Sequence, residues 1–590
     1  MTSKKFLNIE DIETELENFD DNNSFDGFED DEILEATVSV PDQSNLSCPQ
    51  STAIDNLMEV CDLSDNESLS SSLPEENMEV DSDSEESVWN KGELQHERDL
   101  PIDFDTVNVT PTYNFSVTDG PVVYFQRFFD AQVITDLVNQ TDLYAQQVKI
   151  KNWVPVTLEE LNAFIGILIG MALHDLPSID SFWSSDPLFL VKPIADCMPI
   201  KRFKKILEAL HCNDNSQAPA VSCANRDKLY KVRPLIDILN TKFEIECHSS
   251  SSQSIDEAMI KFKGRSGIKQ YMPMKPVKRG YKVWARADSN TGYLYQFDVY
   301  TGKLEDGVEE GLGSKVIKKL STSLKNKNCH IVFDNFFTSY TLMEELYEHK
   351  IYATGTVRSS RKELPALAKK TQKMNKHESK YRIRNHTGYV KWKDTKIVSV
   401  LSTAFRPNII GEAKRTQKDG STKIVPCPQS IIEYTKRMGG VDRFDQKRTY
   451  YGIGRRSKRW WLRIFYFMID AAIANANILY NVNHHNATLS GLDFRIRLHR
   501  SLISNYTSRK RPSLSNTPFI KKQKHNSTHK DLGVPDEIRL SKVGVHMPEK
   551  LTTFRRCRFC SSKTNNKRSN IGCTTCNVAL CINCFKKFHK

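Results

Sequence analysis

The sequence predicts an α/β core interrupted by a basic segment, flanked by mainly helical chain and followed by a small cysteine-rich module. Three observations predict it. Residues 251–355 read as strand, hairpin, strand, helix, strand. Residues 106–250 and 448–504 carry helical apolar periodicity. Six of the 14 cysteines fall in the last 34 residues at metal-ligand spacing.

A chain of 590 residues has length for several domains, and its net charge of +10 conceals an asymmetry. Residues 1–100 hold 29 Asp and Glu against 4 Lys and Arg, while the rest holds 79 basic against 44 acidic residues. So basic a body attracts a polyanion, nucleic acid foremost. Residues 1–105 lack sustained apolar periodicity and read as a disordered acidic tail. Two serine patches in it, 63–72 and 81–87, lie in the acidic surroundings that acidophilic kinases favour. Phosphate there deepens a negative charge that can compete with DNA for the basic body. Scattered single cysteines suit a reducing compartment. The acidic N-terminus is no secretory signal. The longest apolar run, Ala163 to Leu173, is too short to span a bilayer and reads as a buried helix. A soluble intracellular protein is expected, with no membrane association.

Taken in order, 106–250 predicts helices at Val122–Leu137, after the capping box Thr157-x-x-Glu160, at 201–212, and at Arg226–Asn240. In 251–355, alternating runs rich in Tyr, Val, Phe and Trp flank the turn Asp288-Ser289-Asn290-Thr291-Gly292, a hairpin signal. A helix over Val316–Leu324, the strand Ile331-Val332-Phe333 and a helix over Tyr340–His349 follow, an order consistent with an RNase H-like fold. Residues 356–425 interrupt the core with 18 Lys and Arg against 5 Asp and Glu, interleaved with Tyr381, Tyr389 and Trp392. Cations with aromatic faces between them suit DNA gripping; a solvated basic loop has the same composition. The core resumes over 426–447. Trp461–Tyr480 is a strongly apolar helix, mainly core. The polar linker 505–538 carries Arg509-Lys510-Arg511 and Lys521-Lys522-Gln523-Lys524, a bipartite nuclear import pattern.

Three acidic words carry the candidate chemistry: SIDEAMIKFKG (254–264), IVFDNFFTS (331–339) and MGGVDRFDQ (438–446). Asp256 lies within or at the edge of a strand, Asp334 ends one, and Asp442 and Asp445 share a face of a starting helix. Singly, each is an ordinary turn or cap residue. Together, carboxylates held on neighbouring elements suit two hard divalent cations, roughly 3.5–4 Å apart, which can clamp a phosphodiester.

These words, with GYKVWARADSNTGYLYQFDVYTGK (280–303), KVRPLIDILN (231–240) and the terminal Cys/His cluster, resemble the piggyBac transposase family from about Tyr124 to the C-terminus. The resemblance implies an RNase H-like catalytic core in which Asp256, Asp334 and Asp442 are essential and hold two Mg²⁺ ions, with Asp445 nearby. It implies that the helical segments form a dimerisation and DNA-binding domain, so that the partners are double-stranded DNA, transposon ends and a second copy; read from the residues alone, the helices of 106–250 fit a packing platform equally well. The basic segment matches the family's insertion domain. Arg455, Arg456, Lys458, Arg459 and Trp460 match residues that touch the transposon end near the cleaved bond, although a structural stack also accounts for Trp460. The family nicks, forms and opens hairpin ends, and joins them to TTAA targets. Two other readings remain: a domesticated DNA-binding protein without cleavage activity, and a chromatin adaptor acting through its terminal module.

In that module (539–590), Cys557-x2-Cys560, Cys573-x2-Cys576 and Cys581-x2-Cys584 are followed by His589 and preceded by His546. Eight ligands in about 45 residues are enough for two tetrahedral Zn²⁺ sites in a cross-braced finger. The expected pairing puts the first and third cysteine pairs on one ion, and the second pair with both histidines on the other. Arg555, Arg556, Arg558, Lys563, Lys567 and Arg568 surround the ligands and favour DNA as its partner.

Overall fold

The computed structural model describes residues 88–96, 100, 102–220, 223, 226–273, 275–302, 311–369, 373–416, 420–455, 457–504, 506–508, 534–541, 543–561 and 566–589. Most of the acidic tail, both serine patches, Arg456, Lys563 and the two basic clusters of the import pattern lie outside them. The chain divides into two compact units, Met1–Lys510 and Arg511–Lys590.

In the first unit a short pair, β1 (Thr110–Pro111) with β2 (Cys247–His248), accompanies a nine-stranded mixed sheet. The sheet comprises β3 (Ser252–Lys261), β4 (Gln270–Tyr271), β5 (Arg279–Asp288), β6 (Leu294–Val299), β7 (Cys329–Phe333), β8 (Ile351–Thr356), β9 (Ser379–Arg384), β10 (Thr387–Lys393) and β11 (Ile397–Ser402). Its order is β4-β5-β3-β7-β8-β11-β10-β9, with β6 also paired to β5. The β3–β7 and β7–β8 pairs are parallel. The expected hairpin is the antiparallel β5–β6 pair.

The helices are α1 (Pro121–Phe125), α2 (Ala131–Gln147), α3 (Leu158–Ala172), α4 (Lys192–Cys197), α5 (Ile200–Ala209), α6 (Arg233–Ile245), α7 (Leu312–Leu320), α8 (Tyr340–Glu348), α9 (Gln429–Arg437), α10 (Gly440–Thr449), α11 (Trp460–Asn483) and α12 (Gly491–Ile503). One sheet face, through Ala258, Ile260, Val283 and Leu294, shares a core with α1–α3, α5, α6 and α10–α12. The other, through Ile255, Trp284, Ile331 and Phe333, packs on α7 and α8. α11 is long and apolar enough to cross a membrane, but nearly all of it is buried within this unit.

Several local expectations change. The single helix over Val122–Leu137 is two, because the Asp130 side chain accepts from Val133 N and caps a new start. The helix placed at Arg226–Asn240 begins only at Arg233, where Pro234 fits the first turn, and runs on to Ile245. Half of the capping box forms: Thr157 Oγ accepts from Glu160 N, but the Glu160 carboxylate pairs with Arg202. The 356–425 segment extends the main sheet through β9–β11 and adds a hairpin, β12 (Ile410–Thr416) with β13 (Thr422–Pro428). Tyr389 and Trp392 are buried in it and Tyr381 is half-buried, so these rings pack the sheet rather than face DNA.

The tail boundary also moves. The described residues between 88 and 105 (88–96, 100 and 102–105) form a strap along the sheet. Trp89 packs edge-on against Tyr340 at 5.5 Å, Asn90 pairs with Ile383, and Phe104 stacks near His330 and Tyr352. Asp105 pairs with Lys436 and Arg437 on α9. Trp89, Leu94, Leu100 and Phe104 are all buried. A chain beginning at residue 106 is therefore expected to melt well below one beginning at 88. Phe104→Ala alone should cost about 3–5 kcal/mol by denaturant unfolding, as large-to-small core changes do.

Candidate active site

Strand register brings the first two aspartates together. β3 and β7 pair in parallel up to Ile255 with Phe333, so Asp256 and Asp334 stand one residue beyond the same rung. Asp256 shares its strand face with Ser254, two residues back. On that face sits α10, whose Val441 N donates to Ser254 Oγ at 3.2 Å, and Asp442 lies in its first turn. Three distant words thus meet because a parallel strand pair and one helix start converge.

The Asp334 loop is braced from the chain after β8. Arg358 Nε donates to Asn335 Oδ1 at 2.8 Å, and Arg361 donates to the carbonyls of Asn335 and Phe336. Lys282, ion-paired with Glu257, lies 4.8 Å from the Phe336 ring centroid. Burial pushes the Asp256 carboxyl up to about 7; Lys275 opposes this, while the charges of Asp334 and Asp442 add to it. Asp334 is also raised, first by burial and then by Glu257, against the Phe336 N–H, Lys275 and Arg358. Burial disfavours the charge on Lys275, yet Asp256, Glu257, Asp442 and Asp334 hold its ammonium above the usual range. A buried carboxylate among like charges requires cationic company. Among the described residues, no three carboxylates converge within 4.8 Å as the ligands of a single ion do. Two ions about 3.5–4 Å apart spread their ligands more widely, and three oxygen-donor side chains fit such a pair.

Asp445 takes a supporting position: Arg448 pairs with it and also donates to the Met259 carbonyl on β3, tying α10 to the sheet. The basic run after α10 is partly committed elsewhere. Arg455 donates to the carbonyls of Met171, His174 and Leu176, and Arg459 to those of Leu207 and Glu208. Both guanidiniums therefore anchor their loop to the helical part instead of standing free for a phosphate. Trp460 packs partly buried against the core, and Lys458 is exposed. Sequence reasoning missed Lys275, Arg358 and Arg361. All three lie in loops, and a cation brought to a distant carboxylate leaves no periodic signal.

The second unit contains α13 (Asp536–Arg539), a three-stranded sheet of β14 (Pro548–Arg556), β15 (Arg568–Cys573) and β16 (Val578–Ala579), and α14 (Ile582–Phe588). Two ligand sets form, with the expected pairing: Cys557, Cys560, Cys581 and Cys584; and His546, Cys573, Cys576 and His589. His546 Nδ1 lies 3.4 Å from the sulfurs of Cys573 and Cys576, and His589 Nε2 lies 3.4 Å from Cys576 Sγ. Cys560 and Cys581 sulfurs are 3.6 Å apart. These match the edges of a tetrahedron with metal–ligand bonds of about 2.0–2.3 Å. His589 Nδ1 donates to the Phe585 carbonyl at 2.8 Å, which leaves Nε2 as the ligand nitrogen.

A family model described as Transposase IS4 matches residues 120–477, more than half of the chain. The human PiggyBac transposable element-derived protein 2 is 30% identical over 421 residues, covering 69% of each chain. The chain belongs to the piggyBac transposase family. A second human relative, PiggyBac transposable element-derived protein 3, is 28% identical over 492 residues, 82% of this chain and 78% of that one. Among solved structures, the cryo-EM structure of a piggyBac transposase synaptic complex with hairpin DNA matches at TM-score 0.58 and 25% identity. That match covers 81% of this chain and 98% of the other. Membership of the piggyBac family implies divalent-metal catalysis.

Metal affinity should follow the Asp256 proton. A carboxyl with its pKa near 7 keeps its proton at pH 6 and surrenders it to an entering cation, so affinity rises with pH through about 7. Mn²⁺ titration calorimetry at pH 6 in buffers of different ionisation enthalpy should show proton release, which fades by pH 8. Heats independent of buffer at pH 6 would contradict the assignment.

Proposed function

We propose that this protein is a DDD-type DNA transposase of the piggyBac kind, cleaving and joining DNA strands at transposon ends with TTAA targets. The observation that carries the reading is the intact meeting of Asp256, Asp334 and Asp442 through the β3–β7 register and the start of α10. The mixed sheet with helices on both faces supports an RNase H-like core. Two Mg²⁺ ions, when bound, supply activation of water or a 3′-hydroxyl and stabilisation of the leaving oxygen. The three carboxylates hold and orient them. Lys275 and Arg358 place positive charge beside the same carboxylates and draw in the phosphodiester backbone. Partners are double-stranded DNA ends and a second copy of the chain, in the nucleus. The solved neighbour, a synaptic complex with hairpin DNA, supports DNA as the partner.

The finger takes two structural Zn²⁺ ions and reads end sequence. Its exposed Arg555, Arg556, Arg558, Lys567 and Arg568 flank the ligand cysteines along the chain, and its folded core is little more than the metal ligands and a few apolar residues. A second reading, a domesticated DNA-binding protein without cleavage, is favoured by the transposable element-derived human relatives.

Asp256→Ala, Asp334→Ala and Asp442→Ala should each cut strand cleavage by roughly 10²–10³-fold or more while leaving duplex affinity nearly unchanged, since the electrostatics of reaction and binding sit in different groups. Asp445→Ala should lose less. A purified triple variant that still nicks a cognate end with Mg²⁺ would sink the assignment; wild-type protein that binds ends but never nicks them supports the domesticated reading.

A chain truncated after residue 538 should bind bulk DNA almost as well as the full chain but lose much of its preference for cognate over scrambled ends at one fixed salt. A zinc chelator should do the same to the full chain without melting the first unit. Unchanged preference in both cases would remove the finger as the reader.

A further inference from the structure

We infer that Gly440 and Ser254 are positioning residues that set the separation of Asp256 and Asp442. They act through a contact in which the bare Cα of Gly440 rests on the Ser254 side chain and the end of β5. This inference rests on the metal-site reading above.

The contact has no room for a side chain. A Cβ on Gly440 would lie 2.4 Å from Ser254 Oγ and 2.6 Å from the Asp288 carbonyl oxygen. Ser254 and Asp288 are both buried, and the Asp288 oxygen is backbone, so neither can yield cheaply. One residue on, Val441 N donates to the same Ser254 Oγ at 3.2 Å. Such a donor, in the first turn of a helix, would otherwise be an orphan.

The hairpin turn completes the seat. Gly292, at φ +75°, brings its Cα under α10, where a Cβ would come within 2.8 Å of Phe444 N. Arg443 donates to the Ser289 carbonyl at 2.8 Å. Asp288 Oδ2 stiffens the turn by accepting from Asn290 N, Thr291 N and Thr291 Oγ1. The motif Asp-Ser-Asn-Thr-Gly is therefore a hairpin turn and, at once, the bed of the helix that carries the third aspartate.

The chain spacings link the seat to the metal site. Ser254 is two residues before Asp256 on one strand face, and Gly440 is two residues before Asp442 at the head of one helix. Both elements are rigid over two residues, so the Ser254–Gly440 contact fixes how far Asp442 stands from Asp256. Relieving the clash of an alanine at 440 needs a lift of about 1 Å, a misplacement that can cost about 10²-fold in a catalytic constellation. The lift need not unfold the protein, because α10 remains held by Val441 and Phe444 in the core.

The test uses the full-length chain with Mn²⁺ as the probe. Two Mn²⁺ ions about 3.5–4 Å apart couple magnetically and give a dinuclear EPR signal. Gly440→Ala should keep its circular dichroism and its DNA affinity but lose the coupled signal, with Mn²⁺ affinity falling about 10-fold or more. Ser254→Ala, which removes the Val441 acceptor without adding bulk, should weaken the signal in the same direction and decides the matter if Gly440→Ala does not fold. Gly170→Ala, which crowds His499 in the helical part, should lower the melting temperature and leave the coupling intact. A coupled signal persisting at wild-type affinity in both site variants overturns the inference alone. Wild-type protein that binds no Mn²⁺ overturns the metal-site reading, and the inference with it.

Discussion

The structure of the first unit depends on enclosing α11. From Ile464 to Tyr480 the helix is buried without a break, so over this stretch it has no polar face to offer solvent. A helix apolar on all sides must be covered on all sides. The chain meets that demand by bringing helices from before the sheet and after it into one core with the sheet face itself. Polar side chains then fix the registry. Asn475, fully buried, accepts from Leu294 N and donates to its carbonyl, both at 2.8 Å, which locks α11 to β6. Asp470 accepts from Ile453 N; burial pushes it up to about 6, with Arg495 and Arg448 opposing. The helical segments and the α/β core are therefore one cooperative body, and the aspartates inherit the rigidity of that shared core.

Cations in this protein do two kinds of work. Arg286, fully buried, pairs with Glu244 and joins α6 to the sheet. Arg455 and Arg459 saturate backbone carbonyls that would otherwise be orphaned where the loop meets α3 and α5. Lys275, Arg358 and Arg361 instead crowd the Asp256–Asp334–Asp442 carboxylates and the Asp334 loop. The high basic content read from composition is thus an upper bound on what faces DNA. A guanidinium with five donors can fill a structural gap that a lysine cannot, and Arg455 and Arg459 in the basic run are used for packing in this way.

The finger reaches order by a different route. Its apolar cluster consists largely of the ligating cysteines with Leu580 and Phe588, and its long strand β14 is almost wholly exposed. So small a core cannot repay the entropy of ordering the chain, and a metal ion at each Cys/His cluster would supply what packing does not.

The sequence by itself determined the elements that local chemistry controls. The strand ending at Asp334, the Asp288–Gly292 turn, the helix head at Gly440 and the metal pairing of the finger follow from β-branched runs, turn residues and Cys-x2-Cys spacing. These are interactions within a few residues. Only the tertiary structure decided which distant pieces share a surface. The strap reads as tail because its apolar residues are too sparse to show a period, yet Trp89, the pair Leu94 and Leu100, and Phe104 enter three separate clusters on the sheet. Residues 356–425 looked like a separate insertion because basic composition masks the alternation of β9–β11. Lys275 and the Gly440–Ser254 seat were invisible for the same reason: a contact between residues far apart in the chain depends on strand register and helix docking, and neither leaves a mark in the spacing of the letters.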